Sequence, residues 1–208
     1  MIASFCLLAL AGPAAADITG GAVTGGTASL PVNGGIFKNL TSTLPSAVGN
    51  NNINTWDLNA FDEVQNYTLA SALVTDTGTI AAGTVIDSEY VIFDPPGNGG
   101  SLIGYVKFSG AILGMFNTEA GLTASNGLGD APTVTYHDPA DVGLELPGDS
   151  VTIDLINPNQ IDWSTSASNP GDSVRVITAG VPEPGTVLLF GMFASVLLLF
   201  RRRVNSSR

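Results

Sequence analysis

Turn signals interrupt this chain so often between Asp17 and Gly180 that long helices have no room to form. Gly49-Asn50-Asn51-Asn52, Pro95-Pro96-Gly97-Asn98-Gly99-Gly100 and Asn126-Gly127 separate short runs rich in β-branched and aromatic residues. That spacing belongs to many short strands joined by turns. The pentapeptide Pro-Gly-Asp-Ser-Val occurs twice, at 147–151 and 170–174. Each copy opens an alternating segment, with Val151, Ile153 and Leu155 in the first and Val174 and Val176 in the second. Pro-Gly suits the two central positions of a type II turn, so both copies are expected to be loop-to-strand entries.

Strands are expected at 36–40, 55–58, 66–73, 84–93, 102–108, 111–116, 133–136, 150–156 and 173–178, after a Gly- and Thr-rich opening that suggests an edge strand followed by loops. The fold class is therefore all-β, a single β-sandwich or jelly-roll-like domain over 17–180. Composition agrees: 12% of residues are charged, while 25 are Gly and 12 are Pro, a balance that disfavours long solvated helices. About 160 residues bury enough apolar surface to fold without a covalent staple.

The net charge of −11 is unevenly spread. Between Asp17 and Gly180 only Lys38, Lys107 and Arg175 are basic; the other four basic residues are Arg201, Arg202, Arg203 and Arg208. An acidic body repels phosphate backbones, which argues against nucleic acid as a partner. A divalent cation or a neutral polysaccharide is compatible with it. The single cysteine, Cys6, lies in the N-terminal apolar run, so neither a disulfide framework nor a cysteine metal site is expected.

Both ends carry addresses. Ile2 to Leu10 are apolar, Gly12-Pro13 breaks the run, and Ala14-Ala15-Ala16 offers small residues before Asp17. This reads as a secretory signal peptide, 1–16, cut after Ala16; a basic leader region is expected upstream, since none follows Met1. At the other end, 186–200 is uncharged and apolar and is followed by Arg201, Arg202 and Arg203. Fifteen helical residues rise about 22 Å against a hydrocarbon core of about 30 Å, so the segment is a short transmembrane helix. The arginines stop transfer and stay cytoplasmic, leaving the body outside the inner membrane. Pro182 and Pro184 flank Glu183 and hold Val181 to Pro184 extended, a form that a protease-like site can grip.

The order Val181-Pro182-Glu183-Pro184, apolar helix, basic cluster resembles the tripartite sorting signal of PEP-CTERM proteins, here spanning 181–204. The resemblance implies recognition by an integral-membrane exosortase of Gram-negative bacteria and cleavage near the Pro-Glu-Pro. It also implies association with extracellular polysaccharide production. The stretches 82–97, 109–116 and 170–179 are similar to bodies that accompany this signal, and no catalytic role comes with them.

Within the body, His137 is the sole histidine, and no nucleophile motif accompanies it. Asp130, Asp138 and Asp141 lie near it, and Asp94 closes an expected strand. Asp94, Asp138 and Asp141 are the calcium candidates, although no Asp-rich calcium loop is present. Glu63, Glu89, Glu119 and Glu145 are the carboxylates that could pair with an Asp for glycoside hydrolysis. Trp56 and Trp163, each among polar neighbours, are candidate sugar-stacking platforms. Asn39, Asn66 and Asn205 fit the glycosylation pattern by chance composition.

These residues point to an exported, non-catalytic surface or extracellular-matrix protein without a cofactor, calcium being the one alternative. The expected partners are signal peptidase, the exosortase, the inner membrane for a time, and extracellular polysaccharide. The second reading is a secreted carbohydrate-binding module or carbohydrate-active enzyme. The precursor is expected at the inner membrane with a periplasmic body, and the product at the outer surface or outside the cell.

Overall fold

Two strands of this protein are buried along nearly their whole length, and they define the architecture. The computed structural model describes residues 18–129, 133–137, 140 and 142–180, all within one compact unit, Ala16–Gly180. In chain order the strands are β1 (Ile18–Gly25), β2 (Phe37–Asn39), β3 (Ala47–Val48), β4 (Leu58–Asp62), β5 (Tyr67–Thr68), β6 (Leu73–Thr75) and β7 (Gly78–Ile80). They continue with β8 (Val85–Phe93), β9 (Gly100–Phe108), β10 (Ile112–Phe116), β11 (Thr135–Tyr136), β12 (Ser150–Ile153), β13 (Gln160–Ala167) and β14 (Asp172–Ala179), with one short helix, α1 (Glu119–Ser125). The fold is all-β with several sheets. No described helix is long and apolar enough to cross a membrane, and the expected leader, the sorting motif and the helix at 186–200 lie outside the described residues.

An antiparallel sheet runs β1-β9-β13-β12, and a six-stranded sheet runs β10-β14-β8-β4-β2, with β5 also paired to β8. One apolar cluster joins them in a sandwich-like arrangement. The first sheet contributes Leu102, Val106, Phe108, Ile161 and Trp163, and the second contributes Leu58, Ala60, Val91, Phe93, Val174 and Val176. Each fully buried Val, Leu, Ile or Phe here is worth about 1.5–3 kcal/mol. The first sheet shows the alternation of a half-covered surface: in β9, Leu102, Gly104, Val106 and Phe108 face in, and Ile103 and Lys107 face out.

The six-stranded sheet is covered on both faces. Its outer face carries Phe61, Ile86, Tyr90, Ile92 and Ile177 under a layer that includes Val48, Leu69, Ile80, Leu122 and Val142. Burial on both sides explains why β8 and β14 read as nearly continuous buried strands. Arg175 of β14 lies in this second core with a fully buried side chain. Its Nε and Nη2 donate to the Glu63 carboxylate at 2.7 and 2.9 Å, and its Nη1 donates to Leu122 O at 3.1 Å and Ser125 Oγ at 2.5 Å. Tyr90 and Tyr136 each hold a ring centroid 5.2 Å from the guanidinium. Burial works against the charge on Arg175, but the Glu63 carboxylate more than offsets it, and the guanidinium is held more firmly protonated than usual.

Several expected elements move. The strand expected at 55–58 becomes β4, Leu58–Asp62, because Asn54 has φ 53° and Thr55 N–H donates to Asp94 O, which keeps 55–57 in a loop. The strand expected at 66–73 starts one residue later, after Asn66 at φ 55°, and is interrupted over 69–72, where Leu69 N–H donates to Thr84 O and Leu69 O accepts from Gly83 N–H, which leaves the short β5 and the separate β6-β7 hairpin. The strand expected at 150–156 ends at Ile153, where Asp154 turns the chain by accepting from Ile156 and Asn157 N–H. Two pairings, β2 with β4 and β11 with β3, are parallel.

Breaking a fully buried ion pair leaves one charge stranded in the core, whereas removing both leaves none. Arg175→Met or Glu63→Gln alone is expected to lower unfolding free energy by about 3–5 kcal/mol in chemical denaturation. The double variant Arg175→Met/Glu63→Leu should recover much of that loss. A single variant as stable as the wild type would show that the pair does not hold the second core.

Candidate functional site

The two Pro-Gly-Asp-Ser-Val copies, far from neighbours in sequence, meet in space. The first leads into β12, the second joins β13 to β14, and β12 pairs with β13 in the register Ser150 to Ser164. Both turns are built alike. Gly148 N–H donates to Glu145 O and Gly171 N–H to Ser168 O, so each proline holds the third position of its turn after a cis peptide bond. This corrects the type II expectation, in which proline holds the second position. Gly171 has φ 84°, and a Cβ there would lie 2.9 Å from Phe93 O, so this position requires glycine.

The aspartates of the two copies, Asp149 and Asp172, converge with Glu145; one ligand oxygen from each lies within 4.8 Å of the others. Glu145, Asp172, Ser166, Ser168, Asn169 and Pro170 line an open pocket of about 280 Å³. Asp149 is buried and fully engaged: Oδ2 accepts from Glu145 N–H at 2.9 Å and Oδ1 from Ser166 N–H at 2.9 Å. Asp172 Oδ2 accepts from the Thr165 hydroxyl. Burial pushes the Asp172 carboxyl up to about 7, with Glu145 and Asp149 adding to the rise and the Thr165 hydroxyl opposing it. The arrangement is a clasp: carboxylates caught by backbone and hydroxyl donors tie the turn before β12 to the end of β13. The three carboxyls carry six oxygens, of which both of Asp149 and Oδ2 of Asp172 already accept hydrogen bonds from the protein.

Of the residues singled out in the sequence, Asp94 is buried, and its Oδ2 caps the loop before β4 by accepting from Ile53 and Asn54 N–H at 2.8 and 3.0 Å. Burial raises its pKa, opposed by those two N–H groups. That capping is a structural use of the carboxylate. Asp130, Asp138 and Asp141 lie outside the described residues, as do Val181, Pro182, Glu183, Pro184, Arg201, Arg202 and Arg203. His137 is exposed at the end of β11, where its N–H donates to Val48 O. Glu63 is locked to Arg175, Glu89 is buried beneath Thr178, and Glu119 stands in the first turn of α1, so the four glutamates are spread over separate environments.

The tryptophans divide. Trp163 is 1% exposed and packs between the two sheets, so its indole has no face open to a sugar ring, which corrects the stacking expectation at that position. Its polar neighbours, Asp162 and Ser164, lie on the more exposed side of β13, a strand that sequence reading passes over. Trp56 is half-buried at the rim, pressed so closely on Gly100 that a Cβ there would sit 2.3 Å from the indole. The acidic clasp was missed as a unit, although the repeated pentapeptide carries its signal: the same Asp follows the same Pro-Gly.

No protein-family model, no curated protein and no solved structure matches this chain.

Asp172 holds a proton in the folded state up to a pH of about 7, whereas the unfolded chain releases it near about 4. Between those values the folded state binds more protons, so stability falls as pH rises from about 4 to about 7 and then levels. Thermal denaturation in a chelating buffer is expected to give a higher midpoint at pH 5 than at pH 8, and Asp172→Asn should flatten part of that decline. An unchanged slope in the variant would rule out the Asp172 contribution. Trp163→Ala should cost about 3–5 kcal/mol, the range for truncating a large buried aromatic, as read by denaturant titration.

Proposed function

We propose that this chain is the precursor of an exported, non-catalytic surface or matrix protein, sorted and cut by an exosortase near Val181-Pro182-Glu183-Pro184. The observation that carries the reading is the order of those residues, an apolar segment and Arg201, Arg202 and Arg203. The place where the body closes supports it. β14 ends at Ala179, and the last described hydrogen bond runs from Gly180 N–H to Val85 O at 3.0 Å. All the described residues of the two cores precede Val181.

The body itself is read as one β-sandwich of jelly-roll type, with the core between the four-stranded and six-stranded sheets in support and the parallel β2-β4 edge as its departure. Its partners are signal peptidase and exosortase during export and extracellular polysaccharide afterwards. The buried Trp163 removes one of two indoles on which a glycan-binding reading rests, so the non-catalytic, matrix reading leads.

Intact-mass measurement on the protein from its native host tests this directly. The expected species begins at Asp17 and ends near Val181 to Pro184. A mature chain that still carries Arg208 would defeat the sorting proposal and leave a plain membrane anchor.

A further inference from the structure

The loop between β12 and β13 carries two large aliphatic side chains with nothing over them. Leu155 is completely exposed and Ile156 is 88% exposed. Their neighbours Asp154, Asn157, Pro158 and Asn159 are turn formers, so the apolar pair stands apart from its surroundings. The loop is closed at its neck. Asp154 Oδ1 accepts from Ile156 and Asn157 N–H at 2.6 and 3.0 Å, Asp154 N–H donates to Gln160 O at 2.9 Å, and Gln160 N–H donates to Asn157 O at 2.9 Å. These bonds hold two side chains out in water that the body leaves uncovered.

This tip lies at the end of the sandwich where the described chain leaves it. Pro158 O accepts from Ile112 N–H at 3.3 Å, Asn159 O accepts from Phe108 N–H at 2.8 Å, and Asn159 Nδ2 donates to Ser109 O at 3.2 Å. Two residues past Ser109, Ala111 O accepts from Ala179 N–H at 2.8 Å, and Gly180 follows. Tyr67, paired with Ile86 and 43% exposed, stands at the same end. The acidic clasp is at the other end, where β12 and β14 begin, and so is Asp94, which follows the register partner of Asp172. Beyond Gly180, five residues, 181–185, precede the apolar run 186–200. At about 3.6 Å each, they reach no farther than about 18 Å.

We propose that Leu155 and Ile156 form a lipid-docking tip, which enters the headgroup boundary of the membrane that holds residues 186–200. This inference rests on reading 186–200 as a membrane segment. Two aliphatic side chains hold a protein to a bilayer only weakly by themselves, but a tether this short keeps the tip at the surface, so its insertion is an intramolecular step. The distribution of charge suits that orientation. The clasp and Asp94 are carried away from lipid phosphates, Lys107 is exposed one residue from the end of β9 on the tip's side, and Asp154 has Oδ1 turned to the loop's own N–H groups. Tyr67 supplies an aromatic of the kind favoured at headgroup level. A cut at the sorting residues removes the tether, and the tip alone then lets the body go.

The test uses the full chain with Cys6→Ala, reconstituted in phosphatidylcholine vesicles and carrying one nitroxide label, either at Asn157→Cys beside the tip or at Val32→Cys. Val32 is 87% exposed, matching Ile156, and its loop borders the opposite end, where Ser101 N–H donates to Thr27 Oγ1. The label at 157 is expected to collide with lipid-soluble oxygen and to be shielded from a water-soluble nickel chelate, while the label at 32 meets the chelate freely. Leu155→Ser/Ile156→Ser should return the label at 157 to the values at 32 without releasing the chain from the vesicles. Flotation with the vesicles that is lost in Leu188→Arg/Leu189→Arg reads the membrane segment separately. If that flotation holds and 157 matches 32 in the parent chain, the docking tip is overturned and the membrane segment stands. Shielding of 157 from both oxygen and chelate would mean a protein contact and overturn the lipid assignment, as would equal shielding at 157 and 32. Flotation that fails in the parent chain, or survives the two arginines, overturns the membrane segment and the tip together.

Discussion

The Arg175–Glu63 pair is the constraint around which the second core of this protein is organised. A guanidinium with no exposed surface must have its donors met, and Arg175 recruits partners from distant parts of the chain to do so. Glu63 follows β4, Leu122 O and Ser125 belong to α1, and Asn126 Oδ1 accepts from Nη2 at 3.3 Å. Leu122 O, in the last turn of the helix, also accepts from the Ser125 hydroxyl at 3.0 Å, and a cation beside this C-terminal turn is favoured by the helix dipole. Ser88 Oγ also donates to Glu63 at 2.6 Å, which ties β8 to the same carboxylate. One charge therefore fixes where a seven-residue helix, too short to be stable alone, lies on the sheet.

The helix is held at its start by another acid. Asp76, in the β6-β7 turn, accepts from Asn117 N–H, Thr118 N–H and the Thr118 hydroxyl, and the same hydroxyl accepts from Gly121 N–H as the helix cap. Three acids, Asp76, Asp94 and Asp149, thus use backbone N–H groups to hold irregular segments against the sheets. The body is acidic in part because its loops are fastened this way. Carboxylates serve here as hydrogen-bond acceptors, which is a different use from assembling a reactive centre.

What was legible in the sequence follows this division of labour. Strands whose buried positions are mostly large and apolar, such as β9 and β10, were readable from the sequence, and so was the edge position of β1. β8 and β14 were readable from their β-branched runs, although their burial on both faces was not, because Asp87, Ser88, Glu89 and Arg175 read as solvent-facing. β13 was hidden because two of its four inward residues, Thr165 and Ala167, are polar or small, which left Trp163 looking like an isolated aromatic. The acidic clasp was hidden for another reason. Its three residues come from two turns, and their meeting depends on the β12-β13 register, which no local pattern encodes.

The two ends of the described body are tied into the sheets differently. At the C-terminal side, β14 lies between β10 and β8, and its last residues are paired by Ala179 N–H to Ala111 O and Gly180 N–H to Val85 O. At the N-terminal side, β1 is an edge strand, and its first described residue reaches across to the other sheet through Ile18 N–H to Asp62 Oδ1. A central strand shares its backbone hydrogen bonds with two neighbours and an edge strand with one, so the described body is held more firmly at the end that leads toward the proposed sorting residues than at the end that follows the proposed leader.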